Sequence, residues 1–530
     1  MIVLGLNSSF TSNHHDPSAA LIVDGITVAA VEEERLNRIK TSLGYFPTAA
    51  INECLKIAGI SISDVDIIAS PGLTSNDLVS KISSYMRYAF GRSPPVELYL
   101  HPDCHASSAF YGSGFREATV FSVDGYGDGF STKAYRASGT KFSELECYGA
   151  ANSLGNFYGA FTEFLGFSRG EGEFKVMGMA AYGDPNRFDL SSFLSFDGHS
   201  YTVNPLLRTS AHRLTTLFEP SFNEKLFEAI GCSPRRRFEE FRAEHFDLAA
   251  SVQQTFENAY LGIIRSFADP STPLCLAGGC ALNCLANGKL LATYPELYVM
   301  PAASDRGLSL GAAMEALRTR GTTPATPKTM LLGSGFTPSQ IISTLKRANV
   351  EFMELEDPNL RAAEYISEGR ILGWFNGRAE FGPRALGARS IIARADVDGM
   401  KDSINKKIKF REKYRPFAPA VLESELCEVD HNPLPLRYMT IAIRPDQRIR
   451  AHINQAVHKD GTARIQAINS GHPLEKVLTN LQVGGLFPGV INTSFNLAGE
   501  PIVNSPIDAL RTFFSSGMDA LIMENILVTK

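Results

Sequence analysis

Runs of apolar positions divide the chain into short extended segments and longer amphipathic ones. Met1–Asn7 opens with a β-branched and aliphatic run that predicts a strand, followed by a polar loop through His14, His15, Asp16 and Pro17. Two further apolar runs, Ser18–Val23 and Ile26–Glu32, flank Asp24-Gly25, the pattern of a two-residue hairpin. The plan recurs at Ala118–Asp124, Gly125–Gly129 and Phe130–Ala137 as strand, glycine-rich turn and returning strand.

The two hairpins share no sequence identity, so what repeats is architecture. Two such units in separate halves of an α/β region predict a duplicated nucleotide-cleft fold of the actin and hexokinase type. Val252, Phe256, Tyr260, Ile263, Ile264 and Phe267 recur at helical spacing, which predicts an amphipathic helix over 251–267. The strand Pro273–Ala277, the loop Gly278-Gly279 and a helical run Leu285–Ala292 follow. Pro324, Pro327 and Gly333 break the stretch Gly321–Phe336, and the main boundary is placed there: one body over residues 1–325, a second over 335–530.

With 530 residues, three or four folding units in one or two bodies are expected. Hydrophobic residues at 44% and charged residues at 20% exclude disorder and collagen-like structure. Lys+Arg total 51 against Asp+Glu 56, a net charge of −5, which lacks the excess of a dedicated nucleic-acid binder. The basic residues instead gather in two patches of the second body: Arg378, Arg384 and Arg389, then Lys406, Lys407, Lys409, Arg411, Lys413 and Arg415. Eight cysteines without a C-x-x-C pair fit neither a disulfide scaffold nor a zinc ribbon, and Cys280 and Cys284 read as buried thiols. No apolar run reaches the roughly 18 residues that span a bilayer, and the start lacks a basic leader region, so a cytoplasmic protein without membrane contact is expected.

His101 and His105 are four apart in a run readable as a helix, so both imidazoles project from one face. Asp124 ends an apolar strand and Asp305 precedes the helical run Gly307–Leu317. Two His and two Asp would make a mixed nitrogen and oxygen site suited to iron(II), manganese or zinc. A helix N-cap accounts equally for Asp305, and a turn for Asp124. Gly278-Gly279 with Asn283 opens a helix as a nucleotide-cradling loop would, although close strand-helix packing also demands glycines. Glu32–Glu34 with Arg35, Arg38 and Lys40 reads first as a solvated charged helix start. Arg384 and Arg389 among glycines, with Lys409–Arg415, have the donors for a triphosphate or acyl phosphate. Asn492–Asn496 offers hydroxyl and amide groups at a strand end, or a capped turn.

In order along nearly the whole chain, these segments resemble the ATP-dependent O-carbamoyltransferases that modify antibiotics, toxins and nodulation factors. The matching pieces are Gly5-Leu6-Asn7, His15-Asp16, Glu32-Glu33-Glu34-Arg35, His101-x3-His105, Asp124-Gly125 and Lys175-x-Met177-Gly178. They continue through Gly278-Gly279, Asp305, Gly382–Arg389, Arg415–Pro419, Asn492–Asn496 and Gly499-Glu500-Pro501. The resemblance implies an actin-like N-terminal domain joined to a YrdC-like C-terminal domain. The second would make carbamoyl adenylate from carbamoyl phosphate and ATP with Mg, using Arg384, Lys409, Arg464, Asn492 and Ser494 with Arg415 close by. The first would transfer the carbamoyl group to a hydroxyl of a small-molecule acceptor, as in secondary metabolism.

The same resemblance implies that His101, His105, Asp124 and Asp305 hold a metal touching the nucleotide phosphate. Lys40, Lys175, Gly278, Gly279 and Asn283 would line that cleft, and His15 would take the acceptor's proton. Ala498 stands where relatives can carry Arg, which puts one phosphate contact in doubt. Relatives in hydrogenase maturation carry zinc-finger and acylphosphatase segments in front; the chain begins at the actin-like strand, so that role is not expected. Two other readings stay open: threonylcarbamoyl transfer to tRNA, which the net charge opposes, and a nucleotide-gated actin-like binding protein, which leaves the basic second body unexplained. Residues 186–245 read as a variable insert near the acceptor, where Arg208, His212, Arg213 and Arg235–Arg237 would meet an anionic acceptor or face solvent.

Overall fold

A computed structural model describes residues 1–9, 15–207, 222–426 and 433–530. The N-terminal body holds two five-stranded sheets with one topology. In the first, β1 (Ile2–Asn7) pairs antiparallel with β2 (Ser18–Val23), and β2 with β3 (Ile26–Glu32). On its other side β1 runs parallel to β4 (Ile67–Pro71), which pairs with β5 (Val96–Tyr99), giving the order β3-β2-β1-β4-β5. The second sheet begins with β6 (Glu117–Gly127), β7 (Phe130–Ser138) and β8 (Lys141–Gly149), all antiparallel neighbours. A separate hairpin of β9 (Leu194–Phe196) and β10 (Tyr201–Val203) follows. Then β11 (Leu274–Ala277) and β12 (Leu297–Val299) complete the order β12-β11-β6-β7-β8 with parallel pairings.

The repetition extends to the turns. Asp24 and Gly25 have φ of +47° and +82°, and Asp128 and Gly129 have +51° and +88°. Positive φ at both central residues is the turn that follows the right-handed twist of a hairpin, and it selects Asp-Gly. The second hairpin therefore turns at Asp128-Gly129, so β6 runs beyond Asp124 and its ladder to β7 is irregular between Val123 and Gly127. Strand irregularities of this kind re-aim a side chain beside a site.

Two buried helices, His101–Ser113 and Leu308–Arg318, pack against each other and against the sheets, the second lying on β1. The approach is close: a side chain at Gly5 would run into the Ser309 carbonyl. The helix expected over 251–267 begins earlier, spanning Ala243–Phe267.

The C-terminal body is one eight-stranded sheet, built from β13 (Met353–Glu354), β14 (Leu372–Phe375), β15 (Arg389–Arg394), β16 (Ala418–Leu422), β17 (Gln466–Ile468), β18 (Gly489–Ser494), β19 (Ala520–Met523) and β20 (Ile526–Thr529). Its order is β13-β20-β19-β14-β15-β18-β16-β17, with only β14/β19 and β16/β17 parallel. Helices Pro358–Ser367 and Glu475–Val483 cover one face with Trp374 buried beneath. This sheet shares no strand with those of residues 1–320. No described helix is long and apolar enough to cross a membrane.

Candidate functional site

The His101–Ser113 helix starts at the floor of the cleft because Asp128 accepts the His101 backbone N–H (2.8 Å) together with those of Gly72 and Thr74. Gly127 is required beside it, since a Cβ there would overlap the His101 ring. The helix directs both imidazoles to one point, with their Nε2 atoms 3.1 Å apart. Asp124 brings Oδ2 to 3.1 Å from His101 Nε2 and 3.7 Å from His105 Nε2, and Asp305 brings Oδ1 to 3.6 and 3.8 Å. The remaining Asp124 oxygen accepts the Gly279 N–H at 2.8 Å. The loop can come this close because Gly278 has φ +85° and any side chain there would strike the Val123 carbonyl.

These four residues are all buried or nearly so. Burial pulls the His101 pKa down, but Asp124 and Asp305 outweigh it and raise it; the same imidazoles hold Asp124 well below the ordinary carboxylate range against the cost of burial. Two ring nitrogens converging on two carboxylate oxygens form a set of lone pairs that suits a divalent cation. The buried Nδ1 of His105 has no hydrogen-bond partner among the described residues. The donor set therefore fits the metal that the sequence implied, with its identity open. Asp305 lies inside the 3-10 turn Asp305–Gly307, so it is not that turn's N-cap; Ser304 holds that position without a side-chain bond.

His15 stands beside this cluster. Its Nδ1 is 2.8 Å from Asp16 Oδ2, its backbone N–H reaches Asp305 Oδ2 at 3.4 Å, and its Nε2 lies 3.7 Å from the same oxygen. Asn7 holds the loop by donating to the carbonyls of His15, Asp16 and Asp305. Although burial opposes it, Arg306 (2.9 Å) and His15 lower the Asp16 pKa to about 2. His14 lies outside the described residues.

The second cluster is cationic. Lys409 is buried and donates to Ser494 and to Asn496 Oδ1 (2.8 Å). Burial, then Arg411, Arg415 and Lys40, push its pKa well down. Arg384 makes no hydrogen bond or ion pair among the described residues, and burial followed by Arg464 and Arg415 lowers it to about 9. Arg464 has a buried Nε without a partner. Like charges gathered in a desolvated space are stable only opposite an anion. Asn492 faces inward, donating to Gln466 Oε1 at 2.7 Å, so it supports this region through a side-chain pair.

Lys175 and Lys40 of the N-terminal body adjoin that cluster. Lys175 pairs with Glu412 at 3.5 Å, and Glu412 with Arg415 at 3.7 Å; Lys40 pairs with Glu171 at 3.5 Å. The Lys175–Glu412 pair thus joins the cleft-lining residues of the first body to the cationic cluster of the second. Asn283 is engaged within the fold: it caps the Cys284–Leu291 helix and exchanges two 3.0 Å bonds with Gln253. A cavity of about 650 Å³ also opens between the bodies, lined by Gln254, Glu257, Lys289, Arg444 and Thr462 among others, with none of the cluster side chains in its lining.

Three expectations are corrected. Glu32, Glu33, Glu34 and Arg35 are buried, not a solvated face. Arg389 is fully buried, donates to the carbonyls of Asn376, Gly377 and Ser334 and lies 3.5 Å over the Phe375 ring, so it braces the sheet and is not available to a phosphate. Arg235 likewise bonds Leu165 and Glu239 carbonyls and stacks on Phe241 at 3.9 Å, which removes it from an acceptor pocket; Arg208, His212 and Arg213 lie outside the described residues. Sequence reasoning also missed Arg306 and Glu380. Glu380 Oε1 accepts the N–H groups of Leu386, Ala388 and Arg389 at 2.8–3.0 Å and thereby shapes the loop carrying Arg384. Nothing in its local sequence marks it, whereas Arg306 at least adjoins Asp305.

The chain thus carries a buried imidazole-carboxylate cluster in its N-terminal body and a buried cationic one in its C-terminal body. Residues 3–88 and 82–314 match the family model described as carbamoyltransferase N-terminus, and residues 363–530 that described as carbamoyltransferase C-terminus. The chain belongs to the carbamoyltransferase family and is a transferase. Over its full length it is 33% identical to nodulation protein NolNO of Sinorhizobium fredii, covering 83% of that protein, and 33% identical to the uncharacterized protein sll1178 of Synechocystis sp., covering 96%. It is 31% identical to the 3'-hydroxymethylcephem-O-carbamoyltransferase of Streptomyces clavuligerus over half of each chain.

Proposed function

We propose that the enzyme carbamoylates a hydroxyl of a small-molecule acceptor in two half-reactions, one at each cluster. In this reading the duplicated sheets form an actin-like transfer domain and the eight-stranded sheet a YrdC-like adenylating domain. At the cationic cluster carbamoyl phosphate, ATP and water give carbamoyl adenylate, phosphate and pyrophosphate. Arg384, Lys409, Arg415 and Arg464 hold the phosphate groups, and Ser494 fixes the Lys409 ammonium. The observation carrying the reading is that these like charges, partly unpaired, adjoin Lys175 of the neighbouring body through Glu412 and lie within electrostatic reach of Arg306, the neighbour of Asp305.

In the second step the acceptor oxygen bonds to the carbamoyl carbon, the bond from that carbon to the AMP oxygen breaks, and the hydroxyl proton passes to His15. Nδ1 of His15 is engaged with Asp16, which orients the ring and supports the imidazolium that forms. His101, His105, Asp124 and Asp305 would hold a divalent ion, which when bound supplies Lewis-acid stabilisation to phosphate oxygens. Lys40, Lys175 and the Gly278-Gly279 loop complete the nucleotide's surroundings. The cephem and nodulation relatives favour a secondary-metabolite acceptor. Incubation with labelled carbamoyl phosphate and ATP tests the reading: pyrophosphate should be released and label should enter an acceptor from a hydroxyl panel. No pyrophosphate with any acceptor would overturn it.

A further inference from the structure

Residues 32–38 lie in the N-terminal body, yet their polar groups grip the other one. Glu32 is only 1% exposed. Its Oε1 accepts the Gly382 N–H at 3.0 Å, and its other oxygen binds Arg35. Arg35 in turn donates to the Gly382 carbonyl at 2.5 Å, so both peptide groups of Gly382 are held by residues of the first body. One turn on, Arg38 donates to the carbonyls of Ile502 (2.6 Å) and Pro501 (2.9 Å). Gly382 has φ +122° and is followed by Pro383, whose ring fixes its own φ, so the orientation set at Gly382 is passed to Arg384. On the opposite side Arg306, next to Asp305, reaches Glu32 at 3.8 Å and Asp16 at 2.9 Å.

We infer that Glu32 is a positioning residue for the adenylating site: through Gly382 it places the Arg384 guanidinium, so the first half-reaction depends on a carboxylate of the body that performs the second. A carboxylate buried between two guanidinium groups and a backbone amide is held in one orientation, and loss of its charge frees Arg35 and the loop together. This rests on the two-step reading above, with Arg384 as the phosphate-binding group.

The test uses the full chain and measures pyrophosphate release with carbamoyl phosphate varied. Glu32→Gln should raise KM for carbamoyl phosphate about tenfold or more, as a displaced positioning group does, with a smaller change in kcat and with transfer from supplied carbamoyl adenylate retained. In an Arg384→Ala background the same substitution should add almost nothing, the non-additivity of residues acting in series. Glu33→Gln is the control: Glu33 is equally buried but accepts the Ala49 and Ala50 N–H groups within its own body (3.2 and 2.8 Å), so it should lower thermal stability and leave this KM unchanged. If Glu32→Gln does not fold, Arg35→Lys, which keeps the charge and withdraws the bond to Gly382, carries the same expectation. An unchanged KM in a folded variant, or additive effects in the Arg384→Ala background, would overturn the inference while wild-type pyrophosphate release upholds the two-step reading. No release by the wild type would instead remove that reading.

Discussion

The two clusters, one in each body, solve the problem of buried charge in opposite ways. Around His15 and Asp305 acids and bases alternate: Asp16 has Arg306 and His15, Asp124 has two imidazoles and the Gly279 amide, and Glu32 has Arg35. Such a network is largely satisfied by the protein itself, apart from the lone pairs that the imidazole-carboxylate set offers to a cation. Around Arg384 the charges are alike, and Glu412 is the acid that partly offsets Lys175 and Arg415. There, in the proposed reading, burial is left for the substrate's anionic groups to compensate. A balanced site holds a geometry; a site of one sign stores affinity for phosphate.

The sharpest way to break this contrast is to discharge one cluster at a time. Arg384→Ala or Lys409→Ala should lower pyrophosphate release by about 1000-fold, the scale of losing a preorganised donor, and leave transfer from supplied carbamoyl adenylate intact. Equal losses in both steps would mean the clusters form one site. On the balanced side, chelation should remove the bound metal measured by elemental analysis and slow transfer by at least about 100-fold, since a Lewis acid contributes several kcal/mol; His101→Ala should do the same and spare adenylate formation. Full transfer activity in metal-free protein would end that assignment.

His15→Ala should slow transfer about 100-fold with adenylate formation unchanged, and His14→Ala should do much less; the reverse ranking would exclude His15 as the base. The smallest effect belongs to the shell behind the cationic cluster. His472 accepts the Leu474 N–H on Nδ1 (3.1 Å), and burial lowers its pKa from 6.5 to about 4. Between those values the unfolded chain takes up a proton that the folded one refuses, so this contribution is complete above pH 6.5 and is lost as pH falls towards 4. Melting curves should show that slope, and His472→Gln should flatten it.

Local pattern revealed what local physics controls. The hairpin at Asp24-Gly25, the helix bearing His101 and His105 and the glycine loop at 278–279 follow from turn chemistry and spacing, and the donor set emerged from residues lying at element ends. The fate of the charged residues was not legible. Glu32 and Arg35 look like a wet helix start because their partner, Gly382, is about 350 positions away. Arg389 has the same glycine-flanked setting as Arg384, but opens β15, where its side chain enters the core against Phe375. Sequence spacing records neighbours along the chain, and these roles are set across the interface.

The exposed residues Gly321 to Thr323 open the connection that runs from the first body to the second, but that connection does little of the holding. Arg35 and Arg38 reach out of the first body and Arg378 of the second reaches the Val28 carbonyl at 3.0 Å, while the Asn287 amide grips the Thr440 carbonyl at 2.9 Å. A protease that cuts once in that bridge should therefore yield two fragments on a denaturing gel that still travel as one particle through a sizing column.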